Sequence, residues 1–121
     1  MLLLFCCFGA SSLSAQIIYV NASSPVCPGV GNGASWATAF CNLQDALDAA
    51  QTGNQIWVAQ GVYLPKKAAD GSLTTNNRLK TFFINKNIRL YGGFAGTETT
   101  LNQRNWSANP TILSGDVGTP G

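Results

Sequence analysis

The chain has 121 residues and a formal net charge of +2, and charged residues make up only 10 % of it. Its length suffices for one small domain, and the absence of histidine excludes Ser-His-Asp and Cys-His nucleophiles and histidine-containing zinc sites. Lysine and arginine are scattered apart from Lys66-Lys67, which we expect in a solvated loop, so the basic stripe of a nucleic-acid-binding protein is missing.

The N-terminal residues have the pattern of an export signal. An uninterrupted apolar run at 2–8 is followed by small residues, which is the order of a hydrophobic region and a cleavage region. We predict a signal peptide over 1–15, cleaved after Ala15. The apolar run is shorter than the about 20 residues of a membrane-spanning helix. The sequence therefore predicts a secreted or outer-surface protein without a transmembrane span.

Two cysteines remain after removal of the signal, Cys27 and Cys41. In an oxidising compartment two thiols form a disulfide more often than a metal site. The alternative is a pair of unpaired, small, buried residues. We predict the disulfide Cys27–Cys41, which in the chain-entropy model would stabilise the fold by roughly 3 kcal/mol.

One segment of the mature chain, 42–51, has helical periodicity. Asn42 is a suitable N-cap and Gly53 a suitable end signal. The apolar residues recur at the spacing of one face of an amphipathic helix, through Leu43, Ala46, Leu47 and Ala50.

The rest of the mature chain is predicted to be β-structure. Loops rich in Gly, Asn, Ser and Thr separate short runs that are rich in β-branched and aromatic residues. The predicted strands are 17–20, 55–59, 62–64, 81–84, 88–91 and 111–114.

Several strings of the sequence resemble the opening of right-handed parallel β-helix proteins with the pectin-lyase-like fold. These proteins are bacterial, Bacteroidetes-like surface or secreted products. The strings 32–37, 42–47 and 56–63 resemble the start of such a protein, and 90–99 and 110–116 resemble the coils that follow.

The resemblance implies a mainly β fold. Residues 16–121 would form the capped N-terminal part of a right-handed parallel β-helix (solenoid). The apolar runs starting at Ile56, Ile88 and Ile112 would stack as successive coils, and helix 42–51 would cap the first coil. We also expect the chain to be truncated at its C-terminus. The partner of this part would then be the remaining β-helix coils of the same polypeptide.

The resemblance does not select one function, because this fold hosts enzymes and non-enzymes alike. We expect an exported cell-surface or secreted scaffold or adhesin-like protein that contacts extracellular polysaccharide or host-cell glycans. The alternative is the N-terminal part of an extracellular polysaccharide lyase or glycoside hydrolase whose catalytic coils lie beyond residue 121.

No catalytic residues, cofactor site or metal site can be assembled from the sequence. Helix ends, turns and loops account for the carboxylates, which are Asp45, Asp48, Asp70, Glu98 and Asp116. Trp36 and Trp106 lie in predicted loops and are candidates for stacking on sugar rings, with packing inside the protein as the alternative. Trp57 lies in a predicted strand, where a core position is favoured.

Overall fold

A computed structural model describes residues 16–116 of the chain. The predicted signal peptide, 1–15, lies outside the described residues, as does 117–121. Two single turns of 3₁₀ helix, Asn77–Leu79 and Leu101–Gln103, lie in the long loops. In chain order the elements are β1 (Ile17–Val20), α1 (Leu43–Ala49), β2 (Gln55–Ala59), β3 (Gly61–Tyr63), β4 (Arg89–Phe94) and β5 (Thr111–Leu113).

The strands form two small parallel sheets. One has three strands in the order β1-β2-β4, and the other pairs β3 with β5. Ile56 of β2 lies between Ile18 of β1 and Leu90 of β4. Because α1 lies between β1 and β2 in the chain, these three elements form a β-α-β unit.

The predicted right-handed parallel β-helix is wrong. Ile56 pairs with Leu90, whereas Ile112 pairs with Val62 of β3, so the apolar runs do not stack as successive coils. The five strands are divided between two sheets, and no coil repeats along the described residues. The spacing of apolar runs indicates where strands lie along the chain, but it does not determine which strand pairs with which.

The core lies between α1 and one face of the three-stranded sheet. The predicted helix and its N-cap are confirmed, since the Asn42 side chain accepts a hydrogen bond from the backbone N–H of Gln44. The predicted end signal is wrong, because the helix ends at Ala49 and its C-cap is Ala50, before Gly53. A helix of seven residues is not stable alone in water, so it depends on this packing. The buried cluster joins Ile18, Val20, Ile56 and Val58 of the sheet to Leu43, Ala46, Leu47 and Ala50 of the helix segment.

The loop between β1 and α1 covers the outer edge of the sheet. Tyr19 donates a backbone hydrogen bond to Gly33, and Phe40 donates one to Tyr19. The disulfide Cys27–Cys41 closes this loop, which confirms the predicted bridge. Within the described residues no helix is both long enough and apolar enough to cross a bilayer.

The strand predicted over 81–84 is wrong. In this segment only Thr81 makes a bridge, with Lys67. The backbone of Phe83 instead pairs with the side chain of Gln44. An amide side chain therefore satisfies the backbone groups that a neighbouring strand would otherwise bond.

Candidate functional site

The face of the three-stranded sheet opposite α1 is aromatic. Tyr19, Trp57 and Tyr91 occupy paired positions on β1, β2 and β4. The Phe94 ring stacks on Trp57 with 4.7 Å between ring centroids, and Trp36 packs on Tyr19 at 4.7 Å. Trp57 is only 2 % exposed, which confirms its predicted core position.

Trp36 lies half-buried within this aromatic cluster. Its indole Nε1 donates a hydrogen bond to the backbone carbonyl of Glu98 at 2.8 Å. Its ring also contacts Tyr19 and Phe94. Since both the ring and its single donor are engaged inside the protein, packing is sufficient to explain this tryptophan.

The side chain of Glu98 fixes the loop that receives Trp36. Its carboxylate accepts hydrogen bonds from the backbone N–H groups of Ala95, Gly96 and Thr97. Burial raises the pKa of the Glu98 carboxyl, but the backbone donors outweigh burial and lower the pKa below its ordinary value. The sequence indicates only a loop position for Glu98 and gives no sign of this role.

Trp106 has the opposite environment from Trp36, because Trp106 is 70 % exposed. It lies in the loop between β4 and β5, next to Asn105. The backbone N–H of Asn105 bonds to Gly93, and its side-chain oxygen accepts from the backbone N–H groups of Ser107 and Ala108. The loop is therefore already ordered, and presenting the indole ring to a ligand requires little further ordering.

Gly93 allows this loop to lie directly against β4. Its φ is +91°, and a Cβ atom there would meet the backbone of Trp106 at 3.0 Å. The Thr111 hydroxyl, at the start of β5, accepts from the Gly93 N–H and lies 3.0 Å from the Val58 carbonyl. Backbone contacts thus fix the position of Trp106 relative to the sheet.

The guanidinium of Arg104 lies over two aromatic rings beside this loop. It is 5.0 Å from the centroid of Tyr91 and 5.8 Å from that of Trp106. These cation–π contacts hold the planar group in place. No ion pair or side-chain hydrogen bond joins it to another residue within 16–116, so none of the described residues occupies its N–H donors.

Arg104 and Trp106 lie on the wall of an open groove with a volume of about 400 Å³. The groove combines an exposed apolar ring with free hydrogen-bond donors, which is the chemistry of a small-ligand site. A second cavity of about 370 Å³ at the start of β2 and β4 has no aromatic residue in its wall. The groove is lined by Gly92, Gly93, Arg104, Trp106, Pro110 and Thr111.

Two carboxylates of α1 form ion pairs with lysines that are not part of the groove wall. Asp45 pairs with Lys66 at 2.7 Å and Asp48 pairs with Lys67 at 2.8 Å. The Lys67 side chain is only 17 % exposed, so the predicted solvated loop is wrong at this position. Within 16–116 no three acidic or cysteine side chains converge as metal ligands.

Comparison with known proteins leaves the geometry as the basis for a functional assignment. No protein-family model matches the chain. No curated protein and no solved structure matches it either. Of the two tryptophans selected from the sequence, Trp106 lies in the groove and Trp36 lies in the packed aromatic cluster. Arg104 and Tyr91 were not predicted from the sequence, in which the signal for Arg104 is an arginine two residues before a loop tryptophan.

Proposed function

We propose that the protein is exported and that it binds glycans in the groove formed by Arg104 and Trp106. The exposure of Trp106, 70 %, carries the proposal. A large aromatic ring in water loses apolar hydration when a flat, partly apolar partner covers it. The C–H face of a sugar ring is such a partner.

The surroundings of Trp106 support a sugar ligand over a purely apolar one. Sugars carry hydroxyl groups around an apolar face, so their sites need both a ring and hydrogen-bond donors. Arg104 supplies the donors beside the indole ring. The ligand class that matches this combination is an extracellular polysaccharide or a glycan on a host cell surface.

The Cys27–Cys41 disulfide supports an extracellular location. Disulfides persist in oxidising compartments and are rare in the reducing cytosol. The export proposal is tested by expressing the chain with a C-terminal tag in a bacterial host and sequencing the N-terminus of the product. The expected first residue is Gln16, and a cytosolic product that retains 1–15 would contradict export.

Glycan binding is tested by affinity electrophoresis of the Trp106→Ala variant through gels that contain soluble polysaccharides. We expect a loss of affinity of about tenfold or more, as for aromatic residues that dominate an interface. Trp106→Phe keeps a ring and should keep most of the affinity. Leu73→Ala is the matched control, since Leu73 is 71 % exposed and is not part of the groove wall.

Two results would overturn the glycan proposal. One is binding that is equal for wild type, Trp106→Ala and Leu73→Ala. The other is the absence of binding to any polysaccharide in a panel of plant, bacterial and animal polymers. The same polymers test the alternative of a lyase or hydrolase, because cleavage would produce unsaturated or reducing ends.

A further inference from the structure

We infer that the glycan bound in the groove is acidic and that Arg104 pairs with its carboxylate or sulfate group. This inference rests on the proposed glycan binding and adds the charge of the ligand to it. The observation behind it is a guanidinium that is held in place by aromatic rings and has no anionic partner among residues 16–116.

The position of Arg104 suits a planar anion. The rings of Tyr91 and Trp106 contact the guanidinium at 5.0 Å and 5.8 Å. These contacts restrict the motion of the guanidinium, and no described side chain pairs with it in an ion pair. A guanidinium binds carboxylate and sulfate oxygens through two parallel hydrogen bonds, which a neutral hydroxyl cannot match.

Among residues 16–116, no carboxylate forms an ion pair with Arg104. Asp45 and Asp48 pair with lysines near α1. Glu98 is bonded by backbone N–H groups, and Asp70 is bonded by Ser72. Asp116 makes no ion pair with another described residue. An acidic ligand would therefore meet a cation whose charge is not already neutralised.

A second cation extends the positive surface beyond the groove. Arg89 is exposed and lies two residues before Tyr91 on β4. Side chains two residues apart share one face of a strand, about 7 Å apart. Arg89 therefore lies on the same face of β4 as the Tyr91 ring that supports Arg104. A linear acidic polymer that crosses the groove along β4 would meet both arginines.

The test compares neutral, carboxymethylated and sulfated forms of the same backbones, dextran and cellulose, with natural acidic and neutral polysaccharides alongside. Dissociation constants are measured by affinity electrophoresis in 0.15 M salt, which screens weak surface attraction (on the order of 8 Å screening length). We expect wild type to bind an acidic form about tenfold more tightly than its neutral parent.

Three variants assign that preference to Arg104. Arg104→Gln should reduce the preference to less than about twofold, and Arg104→Lys should keep only part of it because it loses the planar fork. Arg78→Gln is the charge-matched control, since Arg78 is exposed in the 3₁₀ turn Asn77–Leu79 and should leave the preference unchanged. The comparison of carboxymethylated with sulfated polymer identifies the anion.

The outcomes separate this inference from the proposal on which it rests. Equal binding of neutral and acidic polymers, or a preference that survives Arg104→Gln, overturns the acidic ligand. If Trp106→Ala still abolishes binding in that case, glycan binding itself stands. If wild type binds no polymer at all, both proposals are overturned.

Discussion

The side-chain amide of Gln44 forms two hydrogen bonds with the backbone of Phe83. Gln44 Nε2 donates to the Phe83 carbonyl at 2.9 Å, and Gln44 Oε1 accepts from the Phe83 N–H at 2.8 Å. Gln44 has no exposed surface. A residue of α1 thus binds the long loop between β3 and β4 in the way that a neighbouring strand would.

Replacing Gln44 by Leu should lower the free energy of unfolding by about 1–3 kcal/mol, because the partly buried backbone groups of Phe83 lose their partners. Urea denaturation followed by circular dichroism measures the change. The control is Gln60→Leu, at an exposed position. Equal stability of the two variants would show that water replaces the Gln44 amide without cost.

Removal of the disulfide by the double substitution Cys27→Ser and Cys41→Ser should destabilise the protein by roughly 3 kcal/mol. The bridge spans a sequence separation of 14 residues and holds the loop that covers β1. Urea denaturation with and without reductant measures the effect. Reductant should lower the stability of wild type and leave that of the double variant unchanged. If reductant does not change the stability of wild type, the bridge does not constrain the unfolded chain.

The stability of the protein should fall in acid because of Glu98. Its folded-state pKa is depressed by backbone hydrogen bonds, which outweigh the opposing effect of burial. A depressed pKa gives stability that is complete above the unfolded pKa, about 4.3, and that is lost as the pH falls through the folded pKa. Asp48, whose pKa is also lowered, acts in the same direction.

Thermal unfolding of Glu98→Gln across the acidic range tests this dependence. The variant should be less stable than wild type at pH 7, by about 1–3 kcal/mol for a lost charged acceptor. The difference should shrink as the pH falls. Asp116→Asn is the control, because Asp116 is exposed. Parallel pH profiles for wild type and Glu98→Gln would contradict this assignment.

Substitution of Gly93 should disturb the groove without removing any of its functional side chains. In Gly93→Ala the new Cβ would lie 3.0 Å from backbone atoms of Trp106. We expect weaker glycan binding and a loss of stability of about 1–3 kcal/mol from the positive φ and the close contact together.

Gly53→Ala is the matched control for this substitution. Gly53 has a similar φ, +96°, but a Cβ there would meet nothing within 4 Å. Gly53→Ala should lower the free energy of unfolding only by the cost of a positive φ for alanine, roughly 1 kcal/mol. It should leave glycan binding unchanged. If the two variants bind glycan equally well, the contact between Gly93 and Trp106 does not position the indole.

Local elements were predictable where one side of a segment is buried. The boundaries of β1 and β2 agree with the predicted 17–20 and 55–59, and the apolar stripe of α1 packs as its spacing indicates. These elements are specified by periodicity within a few residues. The pairing of the strands was not predictable from periodicity. Val62 pairs with Ile112, but nothing in the sequence around these residues favours this pairing over one between Ile112 and Ile88.

The candidate site was predictable only in part, for a related reason. A loop tryptophan indicates a possible contact residue, and this applied equally to Trp36 and Trp106. Their different exposure depends on distant residues, since Trp36 is covered by Tyr19 and Phe94 from two strands. The position of Arg104 over Tyr91 likewise follows from the path of the loop across β4.

The unequal burial of the three tryptophans gives the protein an internal set of fluorescent reporters. Trp57 is buried and stacks on Phe94, Trp36 is half-buried, and Trp106 is exposed to water. Emission from Trp106 is therefore the component most accessible to iodide quenching, and emission from Trp57 the least. A ligand in the groove should reduce the fraction of the emission that iodide quenches, because it covers Trp106. Unfolding should increase that fraction, because it exposes Trp57, so ligand binding and unfolding can both be followed in one unlabelled sample.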